Sequence, residues 1–283
     1  MQSRQLAYVN VRSMSVTVDL PAADCEVVDG VRWGHVEAFP TPAYWAYQVM
    51  ARRIEARSIN YRLGKTLREE VGACLLGGHG IPAKVGLLAF EHLKAKGAFE
   101  IVPPDELTLL HWLSEPIDVD GRSIRYRFAS QKSRYLAAAL RQLSAECSPQ
   151  QSGRALRDWL TKIPGIGYKT ASWIARNWLD ADDVAILDIH ILRAGVFAKF
   201  LDGELTVERD YLALEEQFLR FSHGLGVRPS ELDAVMWLEM MNSPRSVARV
   251  LDALPEGKFK DRHALAARAK DRRADTTQLA FLV

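Results

Sequence analysis

Five residues, Ile163-Pro164-Gly165-Ile166-Gly167, constrain this chain more than any others. On their N-terminal side Leu156, Trp159 and Leu160 fall at i, i+3 and i+4. On their C-terminal side Ala171, Ile174, Ala175 and Trp178 repeat that spacing, so each flank is a helix with one apolar face. A loop this short and this rich in glycine makes a tight hairpin, and the hairpin joins two helices that pack on each other.

Such a connection can do chemistry that a plain one cannot. Gly165 and Gly167 lack Cβ atoms, so the backbone there is expected to take positive φ and to approach another surface closely. The helix that follows begins with free N–H groups and the positive end of its dipole, which together suit an anion, most naturally a phosphate of nucleic acid. Lys169 falls in the first turn of that helix, where the dipole disfavours an ammonium and favours the neutral amine that can attack an electrophile. Asp188 follows after an acidic turn and the apolar run Val184-Ala185-Ile186-Leu187. Read alone it is the N-cap of the next helix, and capping does not conflict with catalysis.

Pro164-Gly165-Ile166-Gly167-Tyr168-Lys169 with a following Asp188 resembles the helix-hairpin-helix plus Gly/Pro-Asp motif of the DNA glycosylase superfamily. The wording Gly-Ile-Gly-Tyr-Lys-Thr-Ala-Ser, with Arg176-Asn177 further on, is most similar to 8-oxoguanine DNA glycosylases of the archaeal and bacterial type. The resemblance implies a bifunctional enzyme in which Lys169 attacks the sugar C1′ and Asp188 assists it. Pro-Gly-Ile-Gly alone occurs in non-catalytic DNA-binding hairpins too; the lysine and the aspartate together are what make the likeness specific. It covers roughly residues 41–243, with its specific motifs in the central third.

Composition sets looser bounds. At 283 residues the chain can bury a core without staples, and 48% hydrophobic with 25% charged residues is ordinary for a globular protein. Net charge is only +2, so the sum does not point to nucleic acid, but the distribution is uneven. Residues 121–142 hold six basic side chains (Arg122, Arg125, Arg127, Lys132, Arg134, Arg141) and no acidic one. A solvated helix face and a phosphate-facing patch account for that run equally well. The scattered Cys25, Cys74 and Cys147 fit a reducing cytoplasm, and without a four-cysteine cluster the iron–sulfur module of many related glycosylases is not expected. Neither a membrane-spanning run nor a signal-peptide core is read from the sequence.

Taken in order, the chain begins with β-branched runs at 8–11, 15–18 and 26–28, and Asp29-Gly30 before Val31 is a hairpin signal. Thr41-Pro42 opens a helix whose aromatic stripe reads as core, and Thr66 with Glu69 marks the start of another. That helix breaks at Gly77-Gly78-His79-Gly80 and restarts after Pro82, similar to the family segment that enters the DNA cleft. His79 is either an exposed loop histidine or a DNA contact. Asp105 and Glu106 begin a further helix, and Ser130 is expected to cap the Ala-rich one that runs to Leu143. A helix is expected from Thr206 to about Phe221, and Pro229 opens the last clear one. There the spacing of Asp233 and Trp237 resembles the family's final helix, whose aspartate lies near the base pocket. The tail from 255 carries a local excess of basic residues and reads as a DNA-binding arm or a solvated helix.

The resulting expectation is a mainly α, two-lobed helix-hairpin-helix glycosylase fold with a small N-terminal β extension. Residues 1–40 form that extension, 41–254 the glycosylase core with its hairpin at 163–169, and 255–283 the tail. Lys169 and Asp188 are the expected catalytic pair; Pro164, Gly165, Ile166, Gly167, Arg125, Arg127, Lys132 and His79 the DNA contacts; Asp233 and Trp237 the base pocket. The expected partner is double-stranded DNA with a damaged or modified base, bound by a cytoplasmic monomer without metal or cofactor. Another modified base, for example in foreign DNA, or a non-catalytic hairpin module are the competing readings. If phosphates dominate the contact, affinity for undamaged duplex should fall steeply between low and high salt. A titration by fluorescence anisotropy that gave a flat salt dependence would count against the phosphate-facing hairpin.

Overall fold

The structure is a computed structural model that describes residues 4–55, 62–78 and 80–253. The elements in chain order are β1 (Gln5–Val11), β2 (Met14–Leu20), β3 (Glu26–Val28), β4 (Val31–Arg32), α1 (Pro42–Ile54), α2 (Leu67–Leu76), α3 (Ala83–Ala95) and α4 (Glu106–Ser114). They continue with β5 (Pro116–Val119), β6 (Arg122–Arg125), α5 (Ala129–Ala145), α6 (Gly153–Leu160), α7 (Tyr168–Leu179), α8 (Ile189–Phe197), α9 (Tyr211–Leu225), α10 (Pro229–Asn242) and α11 (Pro244–Ala253). The protein is mainly helical, as the periodicities imply. Among the described residues no helix is long and apolar enough to cross a membrane. His79 and the tail from 254 lie outside the described residues.

The chain forms two compact units, one from the described residues up to 55 together with 185–253, the other from those between 62 and 184. In the first unit β1 and β2 pair antiparallel from Gln5 opposite Leu20 to Val11 opposite Met14, and alternation turns Val9, Val18 and Leu20 inward. Those side chains share one core with Trp33, Trp45 of α1, Leu214, Phe218 and Phe221 of α9, and Met236 of α10. The Gln5 side chain ties the strand to the residues after β2 and β4, donating to the carbonyls of Pro21 and Gly34 and accepting from Val36 N at 3.0 Å. Thr41 caps α1 through its hydroxyl with Pro42 at the first helical position, as its sequence requires.

Two helix starts in the sequence reading need correction. Helix α9 begins at Tyr211, not Thr206, because the Asp210 carboxylate accepts from Thr206 N at 2.9 Å and closes residues 206–209 into a turn. Helix α5 is capped by Phe128 with no side-chain bond, so Ser130 sits inside its first turn and accepts from Ser133 Oγ through its carbonyl. The expected last helix, α10, is also followed by α11.

The second unit packs α2–α7 around Leu75, Leu76, Phe90, Leu93, Leu136, Leu140 and Leu160. The basic run is not one helix: Asp120 and Gly121, both at positive φ, turn β5 into β6, and only then does α5 begin. At the heart of this unit Glu70 is fully buried, and its carboxylate accepts from Leu63 N and Gly64 N at 2.7 Å and from Asn177 Nδ2 at 2.8 Å. Burial raises its pKa, and these donors act against that rise. One side chain therefore joins the loop before α2 to the last turns of α7.

Glu70→Ala should strand two buried donors, Gly64 N and Asn177 Nδ2, at about 1–3 kcal/mol each, so a loss of about 2 kcal/mol or more is expected. Urea unfolding gives the test, and a loss under about 1 kcal/mol would show that the network does not hold the unit together.

Candidate nucleic-acid interface and catalytic residues

The hairpin is closed at both ends by its own sequence. At its open end the acidic loop after α7 turns back, and the Asp183 carboxylate accepts from Gly153 N at 3.0 Å and Arg154 N at 3.1 Å, capping the start of α6. Ser152 adds a side-chain bond to Ala155 N. Along their length α6 and α7 bury Leu156, Leu160, Ala171, Ile174 and Ala175 between themselves and the rest of the unit. At the turn Ile163 and Ile166 are buried while Pro164, Gly165 and Gly167 are exposed.

Two glycines, two different reasons. Gly165 has φ of +86°, and a Cβ there would come within 2.3 Å of the Tyr135 ring, so only glycine fits between that ring and the surface. Gly167 departs from expectation: its φ is −87°, a Cβ would meet open space, and it serves as an N-cap for α7 with no side-chain bond. What glycine supplies there is clearance in front of the first-turn amides of α7. Ile166 is corrected too. Its side chain is core and its amide donates to Ile163 O at 3.1 Å, so both go into shaping the turn.

Lys169 occupies the second position of α7 and is exposed, next to Tyr168, whose ring lies 5.8 Å from the Arg157 guanidinium. The same unit carries Arg125 and Arg127, both exposed, with Arg127 over the Phe128 ring at 5.2 Å, and Arg134 lies over the ring of Tyr135, the residue that faces Gly165, at 5.4 Å. A shallow depression of about 330 Å³ is lined by Arg127, Phe128, Ser130, Gln131 and Arg134. Lys132 does something else. Its ammonium donates to the carbonyls of Leu75 at 2.6 Å and Gly77 at 3.2 Å, and burial lowers its pKa. With Tyr126 Oη donating to Leu76 O, it satisfies the carbonyls that end α2. It therefore holds the break at Gly77.

In the other unit Asp188 is the N-cap of α8, its Oδ1 accepting from His190 N at 2.8 Å and Ile191 N at 3.1 Å. Asp233 is buried on α10, and its Oδ2 accepts from Ile186 N at 3.1 Å. Trp237 is half-buried against the core one turn later. Tyr135 and Glu70 carry no local signal of their own: the close approach expected at Gly165 is met by the Tyr135 ring, and Asn177, part of the wording that carries the resemblance, bonds to Glu70.

The chain matches the family described as 8-oxoguanine DNA glycosylase over residues 57–227. It belongs to that family. The 8-oxoguanine DNA glycosylase/AP lyase of Methanocaldococcus jannaschii is 30% identical over 128 residues, 44% of this chain and 61% of that protein. The protein of the same description from Thermoplasma acidophilum is 33% identical over 120 residues, 41% of this chain and 57% of the relative. The chain thus spans less than two thirds of the length of these relatives. The crystal structure of the 8-oxoguanine DNA glycosylase of Thermotoga maritima superposes with a TM-score of 0.49 at 20% identity, covering 69% of this chain and 94% of that one.

The two glycines separate in experiment. Gly165→Ala should lower both stability, by about 1–3 kcal/mol, and DNA affinity, because its Cβ has no room and its φ is strained. Gly167→Val should change stability by less than about 1 kcal/mol yet weaken binding several-fold by keeping a phosphate off the α7 amides. Thermal melts and anisotropy titrations check this, and unaltered affinity in Gly167→Val would remove the hairpin from the interface.

Proposed function

We propose that this chain is a bifunctional glycosylase that removes 8-oxoguanine from double-stranded DNA and then cleaves the strand as an AP lyase. The observation that carries the reading is Lys169: an exposed lysine in the first turn of α7, directly behind a hairpin whose glycine clears the way to the helix amides. Membership of the family and the names of its relatives support the choice of base. The protein would act on DNA as a cytoplasmic monomer.

In this reading the hairpin backbone and the exposed arginines Arg125, Arg127 and Arg134 hold phosphates, and the damaged nucleotide is turned out of the stack at a cost of a few kcal/mol. The Lys169 amine attacks C1′, the C1′–N bond to the base breaks, and the base leaves with a proton. Asp188 stabilises positive charge developing on the sugar or takes the proton from the lysine. The amine adduct opens the sugar ring to an imine. Loss of the acidified proton at C2′ then expels the 3′ phosphate by β-elimination, and hydrolysis of the imine frees the lysine. This reaction requires neither metal nor redox cofactor.

Borohydride reduction tests the sequence of steps, because it fixes the imine as a permanent protein–DNA cross-link. Wild type should cross-link to duplex containing 8-oxoguanine and to abasic duplex. Lys169→Gln should lose cross-linking and cleavage while still binding damaged duplex. Asp188→Asn should slow base removal strongly yet keep some cross-link on abasic DNA, which needs no leaving-group departure. A Lys169→Gln protein that cross-links as well as wild type would move the nucleophile elsewhere, and no cross-link from wild type on either DNA would end the lyase mechanism.

A further inference from the structure

The three residues that lead into Asp188 are held in an unusual way. Residues 184–188 belong to no helix or strand, although Val184, Ala185 and Leu187 are buried. Buried backbone needs partners, and here side chains of two helices supply them one amide at a time. Ala185 N donates to Glu215 Oε1 at 3.0 Å, Ile186 N to Asp233 Oδ2 at 3.1 Å, and Leu187 N to Tyr211 Oη at 3.2 Å. Tyr211 Oη in turn donates to Ala185 O at 2.7 Å, so its hydroxyl closes a ring with the segment. Glu215, Asp233 and Tyr211 are all at least nine-tenths buried.

Burying two acid side chains to hold one short segment is a poor way to gain stability, since their desolvation offsets most of what the bonds contribute. It is a good way to fix geometry. Three successive amides pinned to rigid helices leave the backbone of 185–187 no freedom, and the next residue is the helix cap whose carboxylate is aimed by His190 N and Ile191 N. We propose that Tyr211, Glu215 and Asp233 are positioning residues for base excision, acting through the 185–187 backbone on the Asp188 carboxylate. The proposal rests on the role given above to Asp188. It moves Asp233 from the base pocket to this clamp and adds Tyr211 and Glu215, which no feature of the sequence had marked.

The test removes one oxygen. Tyr211→Phe keeps the ring in the core and deletes the hydroxyl that grips Ala185 and Leu187, and Ser222→Ala deletes a buried hydroxyl bond to Val227 O in the same unit, away from the segment. Single-turnover excision of 8-oxoguanine should slow about tenfold or more in Tyr211→Phe, as misplacement of a catalytic group does. Ser222→Ala should excise like wild type even if its melting temperature falls equally. Borohydride cross-linking of Tyr211→Phe to abasic DNA should stay within about twofold of wild type, which also shows that the variant is folded. In an Asp188→Asn background, Tyr211→Phe should slow excision no further. Wild-type rates in Tyr211→Phe, equal slowing by Ser222→Ala, or full additivity with Asp188→Asn would each overturn the positioning role while leaving the glycosylase reading intact. Failure of the wild type itself to excise or cross-link would overturn that reading and this one with it.

Discussion

Burying Ile163 and Ile166 while keeping Pro164 and Gly165 between them at the surface is the constraint on which the second unit's exposed turn depends. Two apolar anchors three residues apart force the chain to turn within one hydrogen-bonded loop, and the Ile166 amide is consumed in closing it. The turn can then only project its glycines and the first residues of α7 outward. Lys169 is exposed because the isoleucines before it are not.

The same constraint explains why the hairpin helices need outside help. Packing one face of α6 on α7 leaves the far end of the pair open, and Asp183 closes it by capping α6 from the loop that α7 leads into. The carboxylate is satisfied by two amides and complements the helix dipole, so an acidic turn that looks like solvated surface is a fastener. Glu70 does corresponding work for the amides of Leu63 and Gly64, and ties them to α7 through the Asn177 side chain. Both acids hold backbone that carries no regular ladder of its own.

Much of this was legible from local chemistry. The helix-hairpin-helix, the β1–β4 strands, the Thr41 and Thr66 caps and the Asp188 cap all follow from periodicity and side-chain oxygen placement within a few residues. What could not be read depends on contacts far apart in sequence. Lys132 looks like any exposed lysine until α2 ends beside it, with its carbonyls of Leu75 and Gly77 facing the ammonium. Gly167 looked like Gly165 because composition does not report φ. Thr206 carries a good capping signal, yet the Asp210 carboxylate claims its amide first. The bond from Ile186 N to Asp233 Oδ2 joins residues far apart in sequence, which no local pattern reports.

The interleaving of the two units bears on how the chain acquires its structure. The second unit is drawn from one continuous stretch, residues 62–184 in the described parts, so its helices can meet as soon as that stretch exists. The first is not. Its strands and α1 come before that stretch and α8–α11 after it, and Leu20, Trp33 and Trp45 wait for Leu214, Phe218 and Phe221 before their core can close. Loop-closure entropy grows only slowly with the length enclosed, and a compact insert shortens the effective loop further. On a ribosome, the early β hairpin would therefore emerge with its apolar face uncovered, and the segment bearing Asp188 would be the hinge of assembly at which the later helices fold back onto the earliest part of the chain.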